Sequence, residues 1–421
     1  MQKFRFQIYS NRLNRPRRAH ATPARQMSPT QPHQPSQPSP QRDRHRPTLA
    51  FDATGFHTSF NNGLNRYTQE AIAALEDFGE LRLFSGDRAL CHRLGRHGRH
   101  VPLGGLHQNN LRGNLSRLLW HQTALPAILS RARSTPLFYS PVPEGMLLPV
   151  CPQILTVHDL LPLEFPEVYP RVKYYFRWIL PRLLRASRAI VVPSDHTRRE
   201  LLRYWPTLKT PCAVLPVSYR ADLFFPAPTA RYADTASMPP FVLCVGETRP
   251  YKNIRRAIEA FARVVASGQR PTLTLAIVGQ LNRLDTAIAA LPQQLGIADR
   301  VQFLGYVSDT DLADLYRRAA AFLFPSLYEG FGIPPLEAMA CGCPTIVSRA
   351  ASMPEVCGDA PHYIDPHGVE DIATGIVRVT GDRAYAQTLR SRGLDRVQSF
   401  QPNHFRHGLQ AIVIEHAPDY R

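Results

Sequence analysis

Short apolar runs alternate with longer amphipathic stretches along most of the chain. The runs stand at 48–52, 81–84, 137–139, 153–157 and 189–192, and again at 241–245, 273–278, 301–304, 321–324 and 345–347. They are apolar on both faces, as buried strands of a parallel sheet are. Between them lie stretches with helical spacing, as in Tyr67-Thr-Gln-Glu-Ala-Ile-Ala-Ala-Leu75 and from Ile254, Leu284, Asp311, Pro335 and Gln387 onward. This alternation predicts an α/β protein with parallel sheets wrapped by helices. It breaks between Thr207 and Pro240, where Asp222-Leu-Phe-Phe-Pro-Ala-Pro and Met238-Pro-Pro240 read as an interdomain connection. The expectation is two Rossmann-like, doubly wound domains at 48–220 and 241–400, facing across a cleft and joined by a linker at 221–240. A final helical stretch within 401–421 is expected to pack back on the first domain.

The first 47 residues do not share the pattern. They are rich in Pro, Gln, Ser and Arg, and residues 1–48 carry ten cations against Asp43 alone, more than half of the formal charge of +17. Such a composition cannot supply a core, so a disordered basic tail is expected. The folded remainder is only moderately basic. That disfavours a nucleic-acid-binding protein, since the cations are dispersed and no nucleic-acid module is recognisable.

At 421 residues, 44% hydrophobic, the chain can build two cores. Its longest apolar runs, such as Ala189-Ile-Val-Val-Pro193, are too short to span a bilayer. Seven scattered cysteines (91, 151, 212, 244, 341, 343, 357) show neither zinc-site nor disulfide spacing, and a cytoplasmic protein is expected.

Candidate chemistry concentrates in Pro325-Ser-Leu-Tyr-Glu-Gly-Phe-Gly-Ile-Pro-Pro-Leu-Glu337. A buried strand ends at Pro325, Gly330 and Gly332 permit a tight turn, and Pro334 and Pro335 suit a first helical turn. Free backbone N–H groups at such a helix start attract phosphates. Because Pro335 replaces the third glycine, Gly330 and Gly332 do not make the dinucleotide fingerprint. Other strand ends add to the set. Gly246-Glu-Thr-Arg-Pro-Tyr-Lys-Asn253 offers Arg249 and Lys252 to an anion, and Gly305, Tyr306 and Val307 form a turn able to read a base edge.

Group transfer from a nucleoside diphosphate needs positive potential where charge develops on the leaving phosphate, which Lys252, Arg249 and a helix start can supply without a metal. An ionised Glu337 can accept both hydroxyl hydrogens of a ribose, and Glu329 can hold hydroxyls of the transferred group. Asp309-Thr-Asp311 has the D-x-D spacing of a metal site, but Ser308 before it and an amphipathic stretch after it favour helix capping. In the first half, His158 at a strand end can bond a sugar hydroxyl or shuttle a proton, and Asn62 and Gly63 follow the first strand. Residues 171–188 mix arginines with Tyr174, Phe176, Trp178 and Leu183, a composition suited to an anionic membrane surface or to an ordinary packed helix with a basic outer face.

In these motifs the chain resembles the family 4 retaining glycosyltransferases of the GT-B fold, including bacterial mannosyltransferases of surface-polysaccharide assembly. The carriers are Glu329 and Glu337 in an E-x7-E element, Gly246 to Asn253, Phe303-Leu-Gly-Tyr-Val307, Pro344 to Ser348, Pro354-Glu-Val-Cys-Gly-Asp-Ala360 and Val157-His-Asp159, within about residues 48 to 400. The resemblance implies that Glu337 binds the donor ribose, and that Glu329 with Phe331, Gly332 and Ile333 holds the donor sugar. It further implies that Lys252 meets the diphosphate, with Arg249 and Gly246 beside it, that Tyr306 and Val307 lie at the base, and that His158 and Gly63 approach from the first domain. Glu329, His158 and Lys252 are the expected catalytic residues. A metal-independent reaction without cofactor is implied, retaining configuration by front-side attack with a covalent route through Glu329 as the alternative, and with mannose from GDP-mannose as the leading donor. UDP- or ADP-glucose is the alternative. The implied acceptor is a glycan or lipid-linked oligosaccharide. Two departures stand out: Tyr251 replaces the arginine often found beside Lys252, and Pro216-Val-Ser218 replaces the usual Pro-Asn-Gly.

Overall fold

The computed structural model describes residues 48–57, 63–76, 80–102, 106, 111–132, 136–226, 239–281 and 286–417. The expected tail at 1–47, Asn61, Asn62, the middle of the connection at 227–238 and the helix start at Leu284 lie outside the described residues.

Among the described residues the strands form two sheets, parallel throughout. The first contains β1 (Thr48–Asp52), β2 (Glu80–Ser85), β3 (Gly98–His100), β4 (Leu137–Ser140), β5 (Gln153–Thr156), β6 (Ala189–Val192) and β7 (Cys212–Val214). Their order is β3-β2-β1-β4-β5-β6-β7. The second contains β8 (Phe241–Val245), β9 (Thr274–Val278), β10 (Val301–Gly305), β11 (Ala321–Phe324), β12 (Thr345–Ser348) and β13 (His362–Ile364), in the order β10-β9-β8-β11-β12-β13. Central strands such as β1, β6 and β11 are buried at every residue, which is why unbroken apolar runs mark them.

Three strands escape the sequence pattern. β3, β7 and β13 are three-residue edge strands whose residues are mostly half-buried or exposed, so they carry no apolar signature. β7 pairs with β6, so the chain from Thr207 is not all connection: Cys212–Val214 still belongs to the first sheet. Residues 171–188 are not one regular helix either. Helix Val172–Tyr174 passes into a π-helical turn at Tyr175–Ile179 and then into helix Leu180–Ala186. Pro181 has no N–H to give the Arg177 carbonyl, and the wider turn takes up the break. No helix among the described residues is long and apolar enough to cross a membrane.

The chain end returns to the first domain. Helix Pro402–His416 lies on helix Gly63–Leu75, with the Phe405 ring edge-on to Tyr67 at 5.2 Å and the Gln410 amide donating to the Ala74 carbonyl at 2.8 Å. Burying a side chain such as Phe405 contributes about 1.5–3 kcal/mol. One core cluster consequently runs from Leu49 and Phe51 under the first sheet to Phe324 and Met339 under the second. A smaller apolar seam joins Leu161, Phe165 and Tyr169 of the first domain to Tyr251 and Tyr328 of the second.

Candidate active site

In each sheet the strand order reverses once, between β1 and β4 and between β8 and β11. Crevices beyond the carboxyl ends of strands at such reversals are where ligands bind. The loops after β8 and β11 therefore share one position, and the structure joins them there. Lys252 Nζ donates to Glu329 Oε1 at 2.7 Å. The turn carrying Lys252, Pro250–Lys252, is fixed by Asn253, whose side-chain amide reaches the carbonyls of Pro325 (3.0 Å) and Pro366 (2.7 Å). On the other side, the Ser352 hydroxyl lies 2.9 Å from the Glu329 carbonyl and 2.7 Å from that of Phe331. The loop is thus tied down at both ends before any ligand arrives.

Helix Ile333–Ala340 begins after Gly332, whose φ is 109°. That backbone conformation favours glycine, and an added Cβ would also have to displace the Met353 methyl, 2.2 Å away. One turn into this helix stands Glu337, 2% exposed. Its Oε1 accepts from Arg66 Nη1, and Tyr316 OH donates to Oε2 at 3.3 Å. Arg66, on helix Gly63–Leu75 of the first domain, also donates through Nη2 to Asp309 Oδ1 at 2.6 Å. Burial pushes the Glu337 carboxyl above the usual range, and the Arg66 guanidinium opposes that shift. Arg66, Ser218, Arg220, Ile333 and Glu337 line a small open pocket.

The first domain meets the same loop. An added Cβ at Gly330 would lie 1.9 Å from the His158 carbonyl oxygen. The Gly330 carbonyl accepts from Ser194 Oγ at 2.6 Å and from Thr197 Oγ1 at 3.1 Å. Nearby, Glu355 of the second domain accepts from the N–H groups of Asp195 (2.7 Å) and His196 (3.0 Å) at the start of helix Asp195–Tyr204. A carboxylate at a helix N-terminus is favourable, so this contact holds the domains together as well.

His158 is held by Nε2, which lies 2.7 Å from the Pro141 carbonyl after β4. A carbonyl only accepts, so Nε2 carries the proton. Burial pushes the imidazole down to about 4. At neutral pH the ring is uncharged with its N–H committed, and Nδ1 remains as an acceptor, which suits the first of the two roles open to His158, bonding a hydroxyl, better than the second, shuttling a proton. Asp159 beside it is pushed up to about 6 by burial, with Glu329 adding to the shift and Lys252 opposing it.

Arg249 turns away from the Lys252–Glu329 pair. Its Nε donates to Glu247 Oε2 at 2.7 Å and its guanidinium lies over the Tyr169 ring at 5.6 Å, which makes it part of the interdomain seam rather than a second cation on the Lys252–Glu329 pair. Tyr251, in place of an arginine, joins the same seam, with its hydroxyl 3.4 Å from that of Tyr169. Gly246 N–H donates to the Val278 carbonyl at 2.8 Å, and Gly63 opens the helix that carries Arg66. Tyr306 is 65% exposed just beyond β10, while Val307 packs half-buried against the core.

The D-x-D pair resolves as capping with one addition. Ser308 caps helix Asp309–Arg318 by accepting from the Asp311 N–H, and Asp309 holds Arg66 and Arg220. A second acidic group, Asp52, His121 and Glu144, brings three potential metal-ligand atoms within 4.8 Å of one another. Its charges are already matched inside the protein: His121 Nε2 lies 2.9 Å from Asp52 Oδ2, and Arg117 Nε lies within 3.0 Å of both Glu144 oxygens.

Sequence reasoning missed Arg66, Ser194 and Thr197, and gave no role to Asp159 and Glu355 although both lie in motifs it singled out. Of the missed three, Arg66 had a local signal, as a cation in the first helical turn after the β1 loop.

With this geometry the chain agrees with two families, one for each half. Residues 61–217 match "Glycosyltransferase Family 4" and residues 232–396 match "Glycosyl transferases group 1". The chain belongs to the family 4 glycosyltransferases. Among curated relatives it is 30% identical over 267 residues to O-antigen chain mannosyltransferase B of Escherichia coli, covering 59% of this chain and 66% of that protein. It is 32% identical over 262 residues to the serotype-specific mannosyltransferase WbdA of Escherichia coli, covering 59% of this chain and 31% of that one. The matched region thus spans less than two thirds of either relative. Sucrose-phosphate synthase from Thermosynechococcus elongatus superposes with a TM-score of 0.71 at 22% identity, over 88% of this chain and 99% of that one. WaaG, described as a glycosyltransferase of lipopolysaccharide biosynthesis, superposes at 0.67 with 18% identity, over 87% and 99%. These two show the fold: GT-B, two Rossmann-like domains.

Proposed function

We propose that this protein transfers mannose from GDP-mannose to a glycan or lipid-linked oligosaccharide during assembly of a surface polysaccharide. The observation that carries the reading is the Lys252–Glu329 pair at the sheet's reversal point, in the loop that leads into the helix of the buried Glu337 and that packs at Gly330 on the His158 carbonyl. The mannosyltransferase relatives support the choice of sugar.

In this reading Glu337 receives the ribose hydroxyls and Lys252 the diphosphate. Diphosphate oxygens then take Lys252 from Glu329, freeing that carboxylate for hydroxyls of the mannose. His158 Nδ1 accepts a further sugar hydroxyl from the opposite wall. The acceptor oxygen attacks the anomeric carbon on the face from which the phosphate leaves, so configuration is retained. The departing phosphate oxygen takes the acceptor's proton, and Lys252 stabilises the charge that develops as the bond breaks. Positive potential from Lys252 and the start of helix Ile333–Ala340 serves this step without a metal or cofactor.

The acceptor side is read as a membrane-proximal one. Tyr174 and Trp178 are 58% and 55% exposed, among exposed Arg171, Arg177, Arg182, Arg185 and Arg188. Cations interleaved with exposed aromatics suit an anionic lipid surface, which supports reading the protein as peripheral on the inner face of a plasma membrane.

The test is a panel of GDP-mannose, UDP-glucose and ADP-glucose, read by thermal shift and by sugar transfer to a lipid-linked acceptor. A shift and turnover with GDP-mannose are expected. A preference for either glucose donor overturns the choice of mannose, and silence with all three overturns the enzyme reading.

A further inference from the structure

The carboxylate assigned to the ribose is completed by a residue from the other domain. Glu337 is buried on the second domain, and the cation that reaches it, Arg66, comes from helix Gly63–Leu75 of the first. An ionised carboxylate has about four lone-pair sites. Arg66 Nη1 takes one on Oε1 and Tyr316 OH takes one on Oε2. Two are left on neighbouring oxygens, as a vicinal diol requires. Arg66 is itself aimed by Asp309 Oδ1 at 2.6 Å, and Asp309 is held on its other oxygen by Arg220 at 3.3 Å. The order Arg220, Asp309, Arg66, Glu337 alternates in charge from the connecting segment into the cleft.

We propose that Arg66 is a positioning residue for the donor nucleotide: it fixes Glu337 as an oriented, ionised acceptor for the ribose diol, so that the ribose site is complete only when the two domains are closed. This rests on the reading of Glu337 given above. It goes further in making nucleotide recognition a property of both domains, with the first contributing through Arg66 rather than through contact with the nucleotide.

A buried carboxylate without a matching cation takes up a proton. A protonated Glu337 then offers fewer acceptor sites to the diol. The groups facing Glu337 are Arg66 from the first domain and Asp309 and Tyr316 from helix Asp309–Arg318, with Cys341 at the end of its own helix. Of these, Arg66 is the cation, and Asp309 pushes the Glu337 proton affinity the opposite way.

The experiment compares binding of GDP and of GDP lacking both ribose hydroxyls, by calorimetry, to the full chain and to Arg66→Ala and Arg66→Lys, between about pH 6 and about pH 9. The unaltered protein is expected to prefer GDP by at least about tenfold. Arg66→Ala should lose about tenfold in GDP affinity near neutral pH, lose little for the hydroxyl-free nucleotide, and recover toward high pH as Glu337 ionises. Arg66→Lys should keep most of the preference. If Arg66→Ala binds both nucleotides like the unaltered protein, weakens both equally at every pH, or binds GDP more tightly, the proposal is overturned while the ribose reading of Glu337 stands. If the unaltered protein itself shows no preference, the ribose reading falls and the proposal with it.

Discussion

Lys252 and Glu329 form an ion pair of 2.7 Å between the loops that follow β8 and β11, at the point where the second sheet reverses its strand order. Both are largely buried, at 17% and 13% exposure, so the pair lies inside the cleft. Each member is the other's partner while no donor is present. A diphosphate and a sugar would divide them between two ligands.

Lys252→Ala should consequently do two things. Steady-state kinetics should show kcat/KM lower by about a hundredfold to a thousandfold, the usual cost of losing a group aimed at developing charge. Thermal melting should also fall, because removing Lys252 leaves the largely buried Glu329 carboxylate without its cation. Near-normal turnover would remove Lys252 from the leaving-phosphate role.

Gly330→Ala tests whether the closed arrangement is the reacting one. The new methyl would lie 1.9 Å from the His158 carbonyl oxygen, in the opposite domain, and could be accommodated only by opening the cleft. Activity should drop at least about tenfold through lost alignment, while the radius of gyration from small-angle scattering rises. Full activity in this variant would mean that transfer does not need this contact.

Two neighbours titrate in opposite senses. Burial pushes Asp159 up to about 6, so the folded protein holds its proton more tightly than the unfolded chain, and stability falls as pH rises from about 4 to about 6. His158 is pushed down to about 4, so the unfolded chain binds that proton more readily, and stability is lost as pH falls from about 6.5 to about 4. Their contributions largely cancel in the unaltered protein. Asp159→Asn should uncover the His158 slope: relative to the unaltered protein its stability should be greater at pH 8 than at pH 4, by no more than about 3 kcal/mol. Urea unfolding across that range would read it, and an unchanged profile would show that Asp159 is solvated in the folded protein.

Sedimentation with anionic vesicles checks the lipid-facing reading. Replacing Tyr174 and Trp178 together by serine should cut the bound fraction at low salt and leave nucleotide binding unchanged, since both rings point to solvent. If the unaltered protein does not sediment with the vesicles, that surface has another use.

Much of the architecture was legible because a parallel sheet buries both faces of its central strands. β6, β8 and β11 announce themselves as unbroken apolar runs and β5 as a buried one with polar ends, and Lys252, Glu329 and Glu337 after β8 and β11 and His158 after β5 could be named from their places beyond strand ends. The edge strands β3, β7 and β13 were silent because half-exposed three-residue segments have no such run.

The linear order of residues thus determined the two domains and the acids and lysine that stand beyond the strand ends of the second. Tertiary structure alone decided which groups meet across the cleft. It placed Arg66 on Glu337, the His158 carbonyl on Gly330 and Glu355 on the helix that starts at Asp195, and it turned Arg249 toward Glu247 and Tyr169. Arg66 and Glu337 are 271 residues apart in sequence. Propensity and periodicity report a few residues' neighbourhood, whereas a contact at that separation depends on how two independently wound sheets are docked. The same docking sets the charge state of the site, because burial and ion pairing are properties of the closed cleft rather than of any one segment.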